Sequence, residues 1–209
     1  MPDYNPHFVN RALGNYVSDI QNAVETGTYL GHGTKVLAET FNRVYSIELD
    51  LENYTTAKVN LAHYNNVELF LGNSSDVLRS ILPQIDSPTL FWLDAHYMGN
   101  AATDWENSSW KGHIKTSGCI NNDPTLSENQ NPLDHELRCI YELHKPPAVL
   151  YIDDLDKFSE DGHGLHNKCF IGENWTHLNL NDMIRSLAPR TLWKKREGDQ
   201  MIIFLSEVA

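Results

Sequence analysis

The chain has 209 residues, 41% hydrophobic and 10% aromatic, enough for the core of one domain with room for a long insertion. Its 16 Lys and Arg face 28 Asp and Glu, a formal net charge of -12, and no Lys/Arg-rich run occurs. That balance argues against nucleic acid and anionic membrane surfaces as partners, because phosphate binding needs a basic face. No stretch approaches the ~18 apolar residues of a membrane-spanning helix. The start, Met1-Pro2-Asp3-Tyr4-Asn5, lacks the basic and apolar regions of a signal peptide. The 3 cysteines, Cys119, Cys139 and Cys169, are widely spaced without a Cys-x-x-Cys, so neither a disulfide framework nor a structural zinc site is expected. The simplest expectation is a soluble cytoplasmic protein with free thiols.

Strand and helix signals alternate along the chain. Val9, Leu13, Tyr16, Val17 and Ile20 fall on one face of a helix over Phe8 to Gln21. Ala23-Val24-Glu25 is a first strand entering a glycine-rich turn, and Thr34 to Phe41 is the helix that opens from it. Arg43 to Glu48 reads as a strand, Leu51 to Tyr64 as an amphipathic helix, and Val67 to Leu71 as a third strand. Ser75 to Leu82 is a helix stopped by Pro83. Thr89-Leu90-Phe91-Trp92-Leu93 has the pattern of a strand buried on both faces. Gly99 to Asn131 is rich in Asn, Ser, Gly and Asp and has no sustained period, so it reads as an insertion or lid. Leu133 to Leu143 then reads as a helix with an apolar core face, and Ala148 to Ile152 as a fifth strand. An irregular stretch from Phe158 to Asn174 precedes a helix around Leu178 to Leu187. Two closing strands, Thr191 to Arg196 and Gln200 to Leu205, are joined by the turn Glu197-Gly198-Asp199. The alternation predicts one α/β domain: a doubly wound, Rossmann-like sheet of seven strands with a C-terminal antiparallel hairpin and helices on both faces.

The chemistry concentrates at the turns. Glu25-Thr26-Gly27-Thr28-Tyr29-Leu30-Gly31-His32-Gly33 sits between the first strand and its helix, where glycines let a ligand approach the backbone. Glu48 ends the next strand 21 positions after Gly27 (48−27), where a carboxylate can accept ribose hydroxyls. The spacing is G-x-x-x-G-x-G rather than G-x-G-x-x-G, and Glu25 would repel a pyrophosphate. A cationic adenosine ligand, S-adenosylmethionine, suits that charge better. These residues resemble the first two motifs of class I S-adenosylmethionine-dependent methyltransferases, whose sheet also ends in an antiparallel hairpin. The resemblance implies cofactor binding by Glu25, Thr26, Gly27, Thr28, Tyr29 and Gly31, by Glu48 and Leu49, and by Asn73, Ser74 and Ser75 after the third strand. Asn73 stands where the family often has an Asp.

Trp92-Leu93-Asp94-Ala95-His96-Tyr97 and Tyr151-Ile152-Asp153-Asp154-Leu155 close the fourth and fifth strands. Ligands of doubly wound sheets bind beyond these strand ends, so Asp94, His96, Asp153 and Asp154 are expected to converge there. Three carboxylates repel one another, and a divalent cation with oxygen ligands, Mg²⁺ or Mn²⁺, relieves that repulsion. The pattern resembles the metal-dependent sugar O-methyltransferases of the macrocin type. That resemblance implies Asp94, Asp153 and Asp154 as metal ligands, with His96 in the place of the catalytic base. It also implies a sugar acceptor, a deoxyhexose such as rhamnose, free or on a glycan. Asp94 alone, beside the methionine part of the cofactor in a metal-free methyltransferase, is the alternative. An NAD(P)-linked reductase would need the glycine turn to hold a pyrophosphate, which Glu25 opposes, and a non-catalytic adenosine-ligand sensor has no need of the acidic cluster. Homo-oligomerisation stays open. His113, His135, His144, His163, His166 and His177 are scattered without His-x-x-x-His spacing, and surface or pocket positions are expected for them.

Overall fold

The structure is a computed structural model that describes residues 20–95, 131–155, 158, 178–198 and 200–208. The expected helix over 8–21 and the insertion over 99–131 fall almost wholly outside these residues, as does most of the stretch 158–174.

Seven strands form one sheet. In chain order they are β1 (Asn22–Thr26), β2 (Arg43–Glu48), β3 (Val67–Leu71), β4 (Thr89–Leu93), β5 (Ala148–Ile152), β6 (Thr191–Glu197) and β7 (Gln200–Leu205). Their spatial order is β3-β2-β1-β4-β5-β7-β6. The first five strands run parallel, and β7 pairs antiparallel with both β5 and β6. The expected fold class is therefore the observed one.

Period-two alternation sorts the strand side chains into two cores. Ala23, Leu90, Trp92, Val149, Tyr151 and Ile202 pack on one face with Leu37 and Ala38 of α1 (His32–Thr40). Val24, Phe91, Leu93, Leu150, Ile152, Met201 and Ile203 face the other way. There they meet α3 (Ser74–Ile81), α4 (Leu133–Leu143) and α5 (Leu180–Ser186). All five residues of β4 and of β5 are buried, which is why both read as continuous apolar runs.

Helix ends follow local chemistry. The Asp50 side chain caps α2 (Leu51–Asn60) by accepting from the Asn53 amide at 2.8 Å. Asn73 and Asn179 cap α3 and α5 in the same way. The expected amphipathic helix to Tyr64 stops at Asn60, and its amphipathicity is slight: Ala57 is its buried residue. Leu61 to Tyr64 instead turns back, with the Ala62 amide donating to Val59 and the Tyr64 amide to Leu61. The helix around Leu178 to Leu187 is shorter at both ends than expected, because Asn179 caps it and Pro189 follows in a 3-10 turn.

A buried arginine ties the hairpin to the parallel half. The Arg190 guanidinium donates to the carbonyls of Tyr141, His144, Pro146 and Ser206 at 2.7–3.2 Å. These oxygens end α4, lead into β5 and follow β7. His144 lies beside this clamp, edge-on to Phe91 and fully buried, rather than at the surface or in a pocket. Burial drives its pKa down to about 4, the Pro147 backbone partly opposes that, and the Arg190 charge adds to it. Replacing Arg190 by Met strands four carbonyls. Arg190→Met is expected to cost about 2–4 kcal/mol in urea unfolding, because buried acceptors lose their partners. Arg190→Lys recovers only part of this, because a single ammonium cannot reproduce the planar fork.

Candidate active site

The strand order reverses between β1 and β4, and the ends of these two strands define the site. The Asp94 amide donates to the Thr26 carbonyl at 3.3 Å. Gly27 follows, with φ at +86°. A Cβ there would lie 2.8 Å from the Asp94 carbonyl oxygen, so both conformation and space require glycine. The Gly27 and Thr28 amides donate to Ile47 of β2. Tyr29 has φ at +52°, and Gly31, at +87°, opens α1 without a side-chain cap. The turn is thus held by backbone contacts to β2 and β4.

Glu25 lies beneath this turn. Its Oε2 accepts from the Thr34 hydroxyl at 2.5 Å and the Ser46 hydroxyl at 2.6 Å. A Cβ on Gly33 would lie 2.6 Å from its other oxygen, so Gly33 makes room for the carboxyl. Burial raises the Glu25 pKa to about 7, the Ser46 and Thr34 hydrogen bonds pull it back, and Glu48 pushes it up slightly. This carboxyl joins β1, β2 and α1. It supports the turn from below. Thr28, also expected in the cofactor site, is buried with its hydroxyl 2.5 Å from that of Ser46.

Glu48 ends β2 with Oε2 accepting from the Tyr29 amide at 2.7 Å and Oε1 from the Asp50 amide at 2.8 Å. Burial raises its pKa. Leu49 beside it is 61% exposed, and Leu71 ends β3 opposite Glu48, also exposed. Asn73 accepts from the amide and hydroxyl of Ser75. Ser74 is buried at the first residue of α3. A buried carboxylate flanked by two exposed leucines can hold a ribose beside an apolar base.

Asp94 and Asp153 line one small cleft, with Leu93, Ala95, Asn131, Leu133, Ile152 and Phe158. Asp153 is buried, and its Oδ1 accepts from the Asp154 amide at 2.9 Å and from Nε2 of Gln200 at 3.2 Å. Asp154 has φ at +58°, an uncommon conformation for a residue other than glycine. Among the described residues, no three His, Cys, Asp or Glu side chains gather closely enough to hold a metal ion. Asp94 and Asp153 share this cleft, and the set of three expected with Asp154 is not gathered there among the described residues. His96, the expected base, lies outside the described residues.

The sequence reading missed Glu136. It was absorbed into the apolar face of α4, yet its carboxyl is buried and lines the same cleft as Asp94. Burial raises its pKa to about 7, while the Ser74 and Thr26 hydroxyls beside it pull the other way. Neither the Thr26 hydroxyl nor Oε1 of Glu136 has a hydrogen-bond partner. A charged residue interrupting an apolar helical stripe was the available signal.

With this geometry in view, the fold can be compared with solved structures. An O-methyltransferase from Bacillus cereus, solved in complex with SAH, matches at a TM-score of 0.57 and 18% identity, covering 98% of this chain and 83% of its own. A SAM-dependent methyltransferase from Aquifex aeolicus matches at 0.53 and 16%, covering 98% and 94%. An rRNA methylase from Streptococcus thermophilus matches at 0.51 and 12%, covering 100% and 99%. No family model and no curated protein matches the sequence. The fold is that of the class I methyltransferases.

Three buried groups set opposed pH dependences. Glu25 and Glu136, with values near 7 in the fold, contribute stability that is full below about 4.5 and is lost as pH rises through about 7. His144, held near 4 against 6.5, acts in the other direction: stability falls as pH drops from 6.5 towards 4. Glu25→Gln should flatten the loss above pH 4.5, and His144→Leu the loss below 6.5, each by roughly 1–3 kcal/mol, read from urea midpoints across pH.

Proposed function

We propose that this chain is an S-adenosylmethionine-dependent O-methyltransferase acting on a sugar hydroxyl, a deoxyhexose such as rhamnose, free or on a glycan. The observation that carries the reading is the meeting of the Gly27 turn with Asp94 where the strand order reverses, with Glu48 one strand away. A backbone turn for the methionine part, a carboxylate for the ribose and exposed Leu49 and Leu71 for the adenine suit this cofactor. The shared fold with SAM-dependent enzymes supports it. The fold also carries an rRNA methylase, so the fold leaves the acceptor open. A net charge of -12 favours a small-molecule or glycan acceptor over nucleic acid.

In the reaction, the acceptor oxygen attacks the methyl carbon in line with the departing sulfur. The O–C bond forms as the C–S bond breaks, S-adenosylhomocysteine leaves, and the hydroxyl proton passes to a base. His96 is the proposed base, an imidazole two residues beyond Asp94 and suited to accept a proton near neutral pH. Asp94 is proposed to orient the methionine part and the acceptor. Close, aligned approach supplies much of the rate.

A divalent cation, Mg²⁺ or Mn²⁺, on Asp94, Asp153 and Asp154 is the finer form of the proposal, and when bound it would acidify the acceptor hydroxyl. The three carboxylates at adjoining strand ends support it. The engagement of Asp153 by Gln200 favours the second reading, a metal-independent small-molecule methyltransferase. No helix among the described residues is long and apolar enough to cross a membrane, and Cys139 is a buried free thiol. A cytoplasmic setting is proposed on the cysteine pattern.

Calorimetric titration with S-adenosylhomocysteine, in Mg²⁺ and again in EDTA, tests the cofactor. Micromolar binding in both buffers is expected, and no binding by the folded chain would overturn the reading. With methyl rhamnoside as acceptor, Asp94→Asn is expected to lower transfer by about 100-fold or more, a larger loss than in S-adenosylhomocysteine affinity. Transfer that persists in EDTA selects the metal-independent form.

A further inference from the structure

Glu136 is costly where it sits. It is 1% exposed on α4 between the core residues Leu133, Leu137 and Ile140. Its Oε1 has no hydrogen-bond partner, and neither has the neighbouring Thr26 hydroxyl. Burying an unsatisfied carboxyl opposes folding, and an apolar side chain of similar size would fill the same space. Packing therefore gives no reason for an acid at this position.

Its surroundings do. The carboxyl faces the hydroxyls of Ser74 and Thr26. Thr26 is the last residue of β1 and immediately precedes Gly27, whose turn presses on Asp94. Ser74 is the first residue of α3, next to the Asn73 cap. One side chain on α4 thus touches both backbone segments that flank the proposed cofactor, and it lines the cleft that holds Asp94.

We propose that Glu136 is a positioning residue for the cofactor: its carboxyl, held by the Ser74 hydroxyl and set beside Thr26, fixes the start of α3 against the end of β1. This inference rests on the S-adenosylmethionine reading. The buried acid trades stability for a pre-set cleft, a pattern common at functional sites. A neutral amide of the same shape can keep the contact with Ser74, whereas a hydrocarbon cannot.

The test compares wild type, Glu136→Leu and Glu136→Gln by S-adenosylhomocysteine titration and by thermal unfolding without ligand. Glu136→Leu should bind about tenfold more weakly, the loss of one buried hydrogen bond, while its melting temperature is unchanged or higher. Glu136→Gln should recover most of the affinity. Equal affinity in wild type and Glu136→Leu overturns the proposal, and so does a lowered melting temperature with intact affinity, which would mark a purely structural role. If Glu136→Leu does not fold, Ser74→Ala takes its place: weakened ligand binding with an unchanged melting temperature supports the proposal, and native affinity overturns it. Failure of the wild type itself to bind removes the cofactor reading, and this proposal with it.

Discussion

The carboxyl edge of the sheet depends on one close backbone approach, that of Gly27 to Asp94 and Ala95. The Thr26 carbonyl receives the Asp94 amide just before it, so β1 and β4 stay in register up to the point where the turn departs. A side chain at Gly27 would force the two strand ends apart. It would carry Asp94 away from the turn and loosen the path from Glu48 through Tyr29 to α1. The position of every proposed cofactor residue is referred to that contact.

Beneath the same edge lies a polar layer that is unusual for a sheet core. Glu25, Thr34, Ser46 and Thr28 form one hydroxyl–carboxyl network, and Glu136 with Ser74 and Thr26 forms another. Both carboxyls are driven towards their neutral forms by burial. The first network is well bonded and acts as a support. The second has unmet hydrogen-bonding capacity and opens on the cleft. The contrast sets a well-bonded buried acid beside one proposed to position the cofactor, both in a chain already rich in negative charge.

The sequence made the sheet legible because burial on both faces imposes continuous apolar runs, as in Thr89–Leu93 and Ala148–Ile152. It exposed the glycine turn because only glycine tolerates the conformation of Gly27 and Gly31. It also marked Glu48, Asp94 and Asp153 as strand-end acids. What each acid touches was not legible. Glu25 turns down to Thr34 and Ser46 because Gly33 leaves the space there, and Asp153 is claimed by Gln200 from a strand 47 residues away. Such pairings depend on register between distant strands, which local patterns do not encode. The Arg190 clamp has the same origin, since its carbonyl partners lie 16 to 49 residues from it in the chain.

The position of β7 between β5 and β6 has a consequence for synthesis. As the chain emerges from its N-terminal end, β6 appears before the strand it must pair with, and β5 waits with an open apolar edge until β7 arrives. The slot beside β5 is filled by β7 rather than by β6, the next strand made. Assembly of the hairpin half therefore waits until β7 is synthesised. During that interval the uncovered edge of β5 is the surface most open to pairing with another chain. Closing it brings Gln200 to Asp153 and Arg190 to its carbonyls, so β7 also completes the polar contacts behind the site.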